Sequence, residues 1–122
     1  MTNEVQNQKD KKYDLVERTA IFGENMIDFL KIVEKNEITR PLINQCIRSA
    51  TSIGANYMEA DCAESKKDFR HKIGICKKES KETMHWMRMI ARAVGKESEC
   101  RVLWREAQEF TFIFAAIINN SK

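Results

Sequence analysis

One proline and four glycines are all the backbone breakers in 122 residues. That is too few for the many tight turns of a β-sandwich or barrel, and it favours long helices joined by short connections. Apolar runs are short too: the longest, residues 112–118, has seven residues, whereas a membrane-spanning helix needs about 20. The opening MTNEVQNQKDKK lacks the apolar centre of a secretory signal and reads as a polar, disordered tail over residues 1–12. The four cysteines, Cys46, Cys62, Cys76 and Cys100, never form a C-x-x-C pair. They are expected to be reduced, mostly buried thiols of a cytoplasmic protein rather than zinc ligands. There is no Gly-rich phosphate loop, no G-x-S-x-G and no pair of inward carboxylates. The expectation is a protein that is not an enzyme, with no cofactor and no metal.

What remains is helix-forming material. Hydrophobic residues make up 43% and charged residues 32% of the chain. A single domain of this length buries roughly two-thirds of its unfolded surface. Asp14 and Glu17 form a capping box ahead of a stripe of Leu15, Thr19, Phe22, Met26, Phe29, Leu30 and Val33 at helical spacing, fraying near residues 35–37. Thr39 is the expected N-cap of a second helix, with Pro41 in its first turn. Its buried stripe is Ile43, Cys46, Ile47, Ala50, Ile53, Gly54 and Tyr57. The opposite side carries Ser49, Ser52 and Asn56, small and uncharged, as if another helix backbone came close. Ser65 and Asp68 cap a third helix, whose Phe69, Ile73, Cys76, Ser80, Thr83, Met87, Ile90 and Val94 alternate in steps of four and three, the seam of bundle packing. Gly95 ends it. Ser98 is the expected cap of a fourth helix with Leu103, Ala107, Phe110, Phe114, Ile117 and Ile118 inward. The pattern predicts an all-α, antiparallel up-down-up-down four-helix bundle over residues 13–120.

Charge is unevenly placed. Residues 65–96 hold ten Lys and Arg against Asp68, Glu79 and Glu82, a net of +7 in a chain whose total is +3, so the rest carries −4. On a wheel with Phe69 at the origin, Arg70, Lys77, Lys81, Arg88 and Arg92 fall between about 80° and 140°, with Lys66, Lys67 and Lys78 at the margins. No Asp or Glu shares that strip, which runs for roughly 39 Å at 1.5 Å per residue. Solvated faces usually interleave both signs, because like charges four residues apart cost a few tenths of a kcal/mol. Lys77–Lys81 and Arg88–Arg92 are such pairs, so the strip favours RNA or DNA phosphates over simple solvation. On the other flank Ile75, Trp86, Met89 and Ala93 make a second apolar face. Ile21, Ile32 and Phe112 repeat the pattern on other helices, which points to a homo-oligomer.

Two constellations resemble chemistry. Glu82-Thr-Met-His85 has the Glu-x-x-His spacing of di-iron bundles, but its one echo, Asp68-Phe-Arg-His71, lies on the same helix, and two helices must supply the element. With Met84 and Met87 inward, Glu82 and His85 turn from the centre. If the second and third helices meet near residue 63, Arg48 stands opposite Glu79, and Glu59 opposite Asp68 or Lys72. Arg48–Glu79 then reads as an interhelical ion pair that fixes register rather than as a catalytic pair.

The run RSATSIGANYMEA, then ES..DF..K and KES.ET..W, resembles the bacterial four-helix-bundle family of ribosomal RNA intervening-sequence proteins. Residues 13–94 carry the likeness, and Ser52 to Ala60 is its most specific part. The resemblance implies a small antiparallel bundle that assembles as a ring, a pentamer. It also implies kinship with basic rings that accompany diversity-generating retroelements, hence a nucleic-acid-processing protein as a partner. No catalytic residue is implied. His85 stands before Trp86 where the family more often has an aromatic or aliphatic residue. The reading carried forward is a cytoplasmic, oligomeric, non-enzymatic bundle that binds nucleic acid through the strip of the third helix. Its rival is an oligomeric protein-interaction scaffold with the strip merely solvated.

Overall fold

The computed structural model describes residues 14–121; the tail expected over residues 1–12 lies outside the described residues. Four helices fill the described chain: α1 (Leu15–Ile32), α2 (Thr39–Asp61), α3 (Lys66–Val94) and α4 (Glu97–Asn120). Each is antiparallel to the next. Across α1 and α2, Cys46 Sγ lies 3.6 Å from Met26 Sδ, while the Cβ position of Gly54 faces Thr19. Across α2 and α3, the pairs are Ser49 with Thr83 and Glu59 with Lys72. α3 packs most extensively on α2 and α4, and α1 and α4 approach each other more loosely.

The helix starts follow local chemistry in two cases and depart from expectation in two. Asp14 accepts from the Glu17 amide at 3.2 Å and Ser65 from the Asp68 amide at 3.0 Å, so both capping positions are occupied as the sequence suggested. Thr39, in contrast, is the first helical residue of α2. Asn36 supplies the cap instead, its Oδ1 accepting from the amides of Ile38 and Thr39, both at 2.9 Å. The Thr39 hydroxyl is turned back to the Glu34 carbonyl at 2.6 Å, which locks the α1–α2 connection. Ser98 lies inside α4 and does not cap it; that helix begins at Glu97 without a side-chain cap, and Glu97 and Glu99 face the positive end of its dipole. α1 stops at Ile32 rather than fraying to residue 37, and Lys35 Nζ donates to the carbonyls of Leu30 and Lys31 at 2.9 Å each. Gly95 ends α3 at φ 72°, the left-handed conformation that favours glycine.

The inward stripes form one core. All seven residues of the first stripe, six in α1 and Val33 just past its end, are buried, as are Ile73, Cys76, Ser80, Thr83, Met87 and Ile90 of α3. Phe22 and Phe110 meet edge to face at 5.5 Å between centroids, and Phe110 stacks on Phe114 at 6.1 Å. The polar members of the seam are satisfied within it. Thr83 Oγ1 donates to the Glu79 carbonyl at 2.8 Å and lies 2.9 Å from Ser49 Oγ, and Ser80 Oγ donates to the Cys76 carbonyl at 2.8 Å. Ser49 of α2 therefore does what its size suggested: it lets α3 approach until hydroxyl meets hydroxyl, while Ser52 and Asn56 bond within their own helix.

Candidate nucleic-acid interface

α3 is the element that organises the surface, because both of its flanks are used by neighbours. Toward α2 lie Lys72, Cys76, Glu79 and Glu82, paired with or facing residues of that helix. Toward α4 lies Met84, whose sulfur accepts from Thr111 Oγ1 at 3.7 Å. The basic strip occupies the arc beside that α4 seam. Lys66, Lys67, Arg70, Lys78, Lys81, Arg88 and Arg92 are exposed, and Lys77 is half-buried.

Among the described residues, ion pairs join Arg18 to Glu106 and Glu109, Arg48 to Glu79 and Glu82, and Lys72 to Glu59. Every one of these cations lies off the strip. None of the eight strip cations is paired with a described carboxylate. Two acids of α3, Glu79 and Glu82, lie on the flank away from the strip and bind Arg48.

That pairing is the most elaborate polar contact of the fold. Arg48 Nη1 lies 3.2 Å from Glu79 Oε2, and Nη2 binds Glu82. The indole N–H of Trp86 donates to the same Glu82 carboxylate at 2.9 Å. The Trp86 hydrogen bond, then Arg48, hold the Glu82 carboxyl below its ordinary range. Glu79 is only 8% exposed. The register argument from the sequence thus places the right partners, and Glu59 meets Lys72 at 2.7 Å rather than Asp68.

Trp86 is not free to face outward with its whole side chain. Read as part of an intersubunit face, it is half-buried against the core of its own chain and tied to Glu82, so an intrachain contact occupies it. Ile75 and Met89 are half-buried as well. The apolar side chains that stand in solvent are Ile32 at 65% and Phe112 at 64% exposure, with Ile21 at the edge of that range. Ile27, Ile38, Met58 and Val102 are also exposed, and the helical wheel of α3 gave no view of them. Glu82 and His85 do not converge with other ligands: Glu82 turns to α2 while His85 is exposed and edge-on to Trp86. Among the described residues no three His, Cys, Asp or Glu side chains come together as a metal site.

Two features escaped the sequence reading. Arg18 makes a bidentate pair with Glu106 at 2.9 Å on both oxygens and covers the Phe110 ring at 5.1 Å. It closes the loose α1–α4 side, and the Glu106 hydrogen bond raises its pKa. Arg101 and Arg105 of α4 extend the cationic surface past Arg88, with Trp104 between them. The R-V-L-W-R run carried that signal, since positions 101, 104 and 105 share a helix side.

No described helix is long and apolar enough to cross a membrane. Among curated proteins none matches this chain. Among solved structures, it is similar to a protein of unknown function from the S23 ribosomal protein family of Bacteroides thetaiotaomicron VPI-5482, whose crystal structure was determined at 1.70 Å. That likeness has 26% identity and a TM-score of 0.74, and spans 84% of this chain and 96% of the other. The family model described as 23S rRNA-intervening sequence protein matches residues 11–115. With nearly the whole bundle inside that match, the chain belongs to the 23S rRNA-intervening sequence protein family.

Proposed function

We propose that this protein is a non-enzymatic, homo-oligomeric, cytoplasmic bundle that binds RNA or DNA through the backbone phosphates, using the cationic strip of α3. One observation carries the reading: eight cations on one side of α3 lack described carboxylate partners, and none of the three acids of that helix stands among them. A face built only for solvation gains from mixed signs; a face built for a polyanion does not. The family description names a ribosomal RNA and no reaction, which agrees with a binding role. Exposed Ile32 and Phe112 support self-association. A ring, such as the pentamer the family resemblance implied, would repeat the strip and multiply weak contacts by avidity.

The test is fluorescence anisotropy with a 20-base-pair RNA or DNA duplex over a salt series, beside native mass measurement. Binding that weakens linearly in log salt, and is lost when Arg70, Lys77, Lys81 and Arg88 become Glu, is the expected result. No binding at low salt, or binding unaffected by the four charge reversals, leaves the scaffold reading in possession. A monomer at micromolar concentration removes the oligomer.

A further inference from the structure

The strip does not end as a flat surface. Beside Arg88, the second half of α3 and the first half of α4 leave an open groove of about 440 Å³, within the range of about 300–1,000 Å³ common for small-molecule sites. Its floor is Met87, Ala91 and the buried Cys100; its rim carries Arg88, Arg101 and Arg105, and Trp104 stands in it half-buried. Glu97 is the one acid lining it. None of the three arginines is ion-paired with a described residue. Trp104 stacks on no other described aromatic ring, and no described arginine lies over its face. The contrast with Trp86 is direct. That indole is anchored to Glu82, whereas the Trp104 N–H has no acceptor among the described residues.

An apolar floor, a free aromatic face and three unpaired guanidinium groups at the rim match one ligand chemistry: a flat, apolar-faced ring with negative charge on either side. We propose that this groove takes an unpaired base of a single-stranded nucleic acid, stacked on Trp104, with its flanking phosphates held by Arg88, Arg101 and Arg105. The inference rests on the polyanion reading of α3 and deepens it, since Arg88 belongs to both surfaces. A duplex satisfies the strip but keeps its bases stacked on one another. Only an unpaired strand satisfies the groove as well.

The probes are labelled 12-nucleotide strands of single-stranded RNA and DNA, the matching duplexes, and an abasic DNA strand that keeps the phosphates without the bases. Binding is followed by anisotropy and by tryptophan quenching at about 50 mM salt. We expect the single strand to bind at least about 10-fold tighter than the abasic strand and to quench Trp104 emission. Trp104→Ala should weaken single-strand binding by about 5- to 150-fold, the range of one lost base stack. Trp104→Phe should restore most of that loss, which guards against an effect of misfolding. Duplex and abasic binding should not change in either variant. The salt slope should survive Trp104→Ala and fall by about 0.7 per phosphate contact in Arg101→Gln. Single-strand binding equal to abasic binding, or indifferent to Trp104→Ala, overturns the base-stacking groove while leaving the strip intact. No binding of any strand or duplex overturns the polyanion reading and the groove with it.

Discussion

Replacing Arg48 by Ala removes a side chain that is 45% exposed yet serves a carboxylate with 11% exposure at Glu79 and another with 29% at Glu82. The exposed half of the interaction, toward Glu82, belongs with surface pairs and is worth about 0.2–1 kcal/mol. The inner half is different. Without Arg48 the Glu79 carboxylate has no described cation near it, and an orphaned buried polar group costs about 1–3 kcal/mol. Water can enter where the guanidinium stood, so the total should fall short of the 3–5 kcal/mol of a fully enclosed broken pair. We predict a loss of about 2 kcal/mol, or a drop in Tm of roughly 8 °C for a bundle of this size. Urea unfolding at one fixed protein concentration measures it, because assembly would otherwise move the midpoint.

The cycle with Glu79→Gln separates packing from charge. If the orphaned carboxylate dominates, Glu79→Gln in the Arg48→Ala background should regain about 1 kcal/mol, and Arg48→Met, which keeps the alkyl stem, should be nearly as damaging as Ala. Additive effects of the two substitutions, or a loss under about 0.5 kcal/mol for Arg48→Ala, would refute the register-fixing role. The pH dependence has a fixed sign. The Glu82 carboxyl is held below its ordinary value of 4.5, first by Trp86 and then by Arg48. Its contribution is therefore fully present above pH 4.5 and lost as pH falls through the lower folded value. The part of the gap between wild type and Arg48→Ala that comes from Glu82 should be constant near neutrality and narrow only below about pH 4.5.

Gly74→Ala should stabilise by about 0.5–1 kcal/mol, since nothing lies within 4 Å of the added methyl and helical glycine carries an entropy cost. Gly54→Ala should lose about 1 kcal/mol despite the same propensity gain, because its methyl would sit 3.2 Å from Thr19 Oγ1, itself held at 2.6 Å by the Leu15 carbonyl. Thiol titration of the native protein should find one fast cysteine, the exposed Cys62; burial pushes Cys46 and Cys76 up to about 12 and Cys100 to about 11, so these should react only on unfolding. Lys81→Glu should raise thermal stability by about 0.3–0.5 kcal/mol through its new spacing from Lys77 while weakening oligonucleotide binding; a gain in both would contradict the assignment of the strip.

The fold was legible wherever periodicity and local hydrogen bonding decide the outcome. The α3 seam is clear because every third or fourth residue from Ile73 to Ile90 is apolar or small, and that pattern survives into the core without exception. Arg48–Glu79 was legible for a related reason: one short turn fixes the register of two long antiparallel helices, and arithmetic then finds partners 31 residues apart. Caps were less secure. Thr39 and Asn36 are both acceptable cap residues three positions apart, and the choice was made by the Glu34 carbonyl, which claims the Thr39 hydroxyl. Arg18–Glu106 was not legible, because the two helices adjoin only through the closure of the whole bundle and span 88 residues. The tie between Trp86 and Glu82 was not legible either, because a wheel shows direction but not which polar group a ring N–H will find; Glu82 takes both the Trp86 indole and Arg48 of α2.

The same contacts explain why the positive charge is left uncompensated on this side of the molecule. α3 has three acids, and two of them, Glu79 and Glu82, are committed to Arg48 across the α2 seam. Asp68 sits in the first turn, where it faces the positive end of the helix dipole. Each acid thus answers a structural demand elsewhere, and none remains to interleave with the strip. That does not by itself require the strip to be all cationic, because positions 74 and 85 border it and could hold Glu at helix-favoured spacing. They hold Gly74 and His85 instead. A sequence shaped by stability alone would use those places to neutralise Lys77, Lys78 and Lys81, gaining a few tenths of a kcal/mol from each pair. Stability forgone along one face, on a helix whose own acids are all placed elsewhere, is what a surface kept for an external anion should look like.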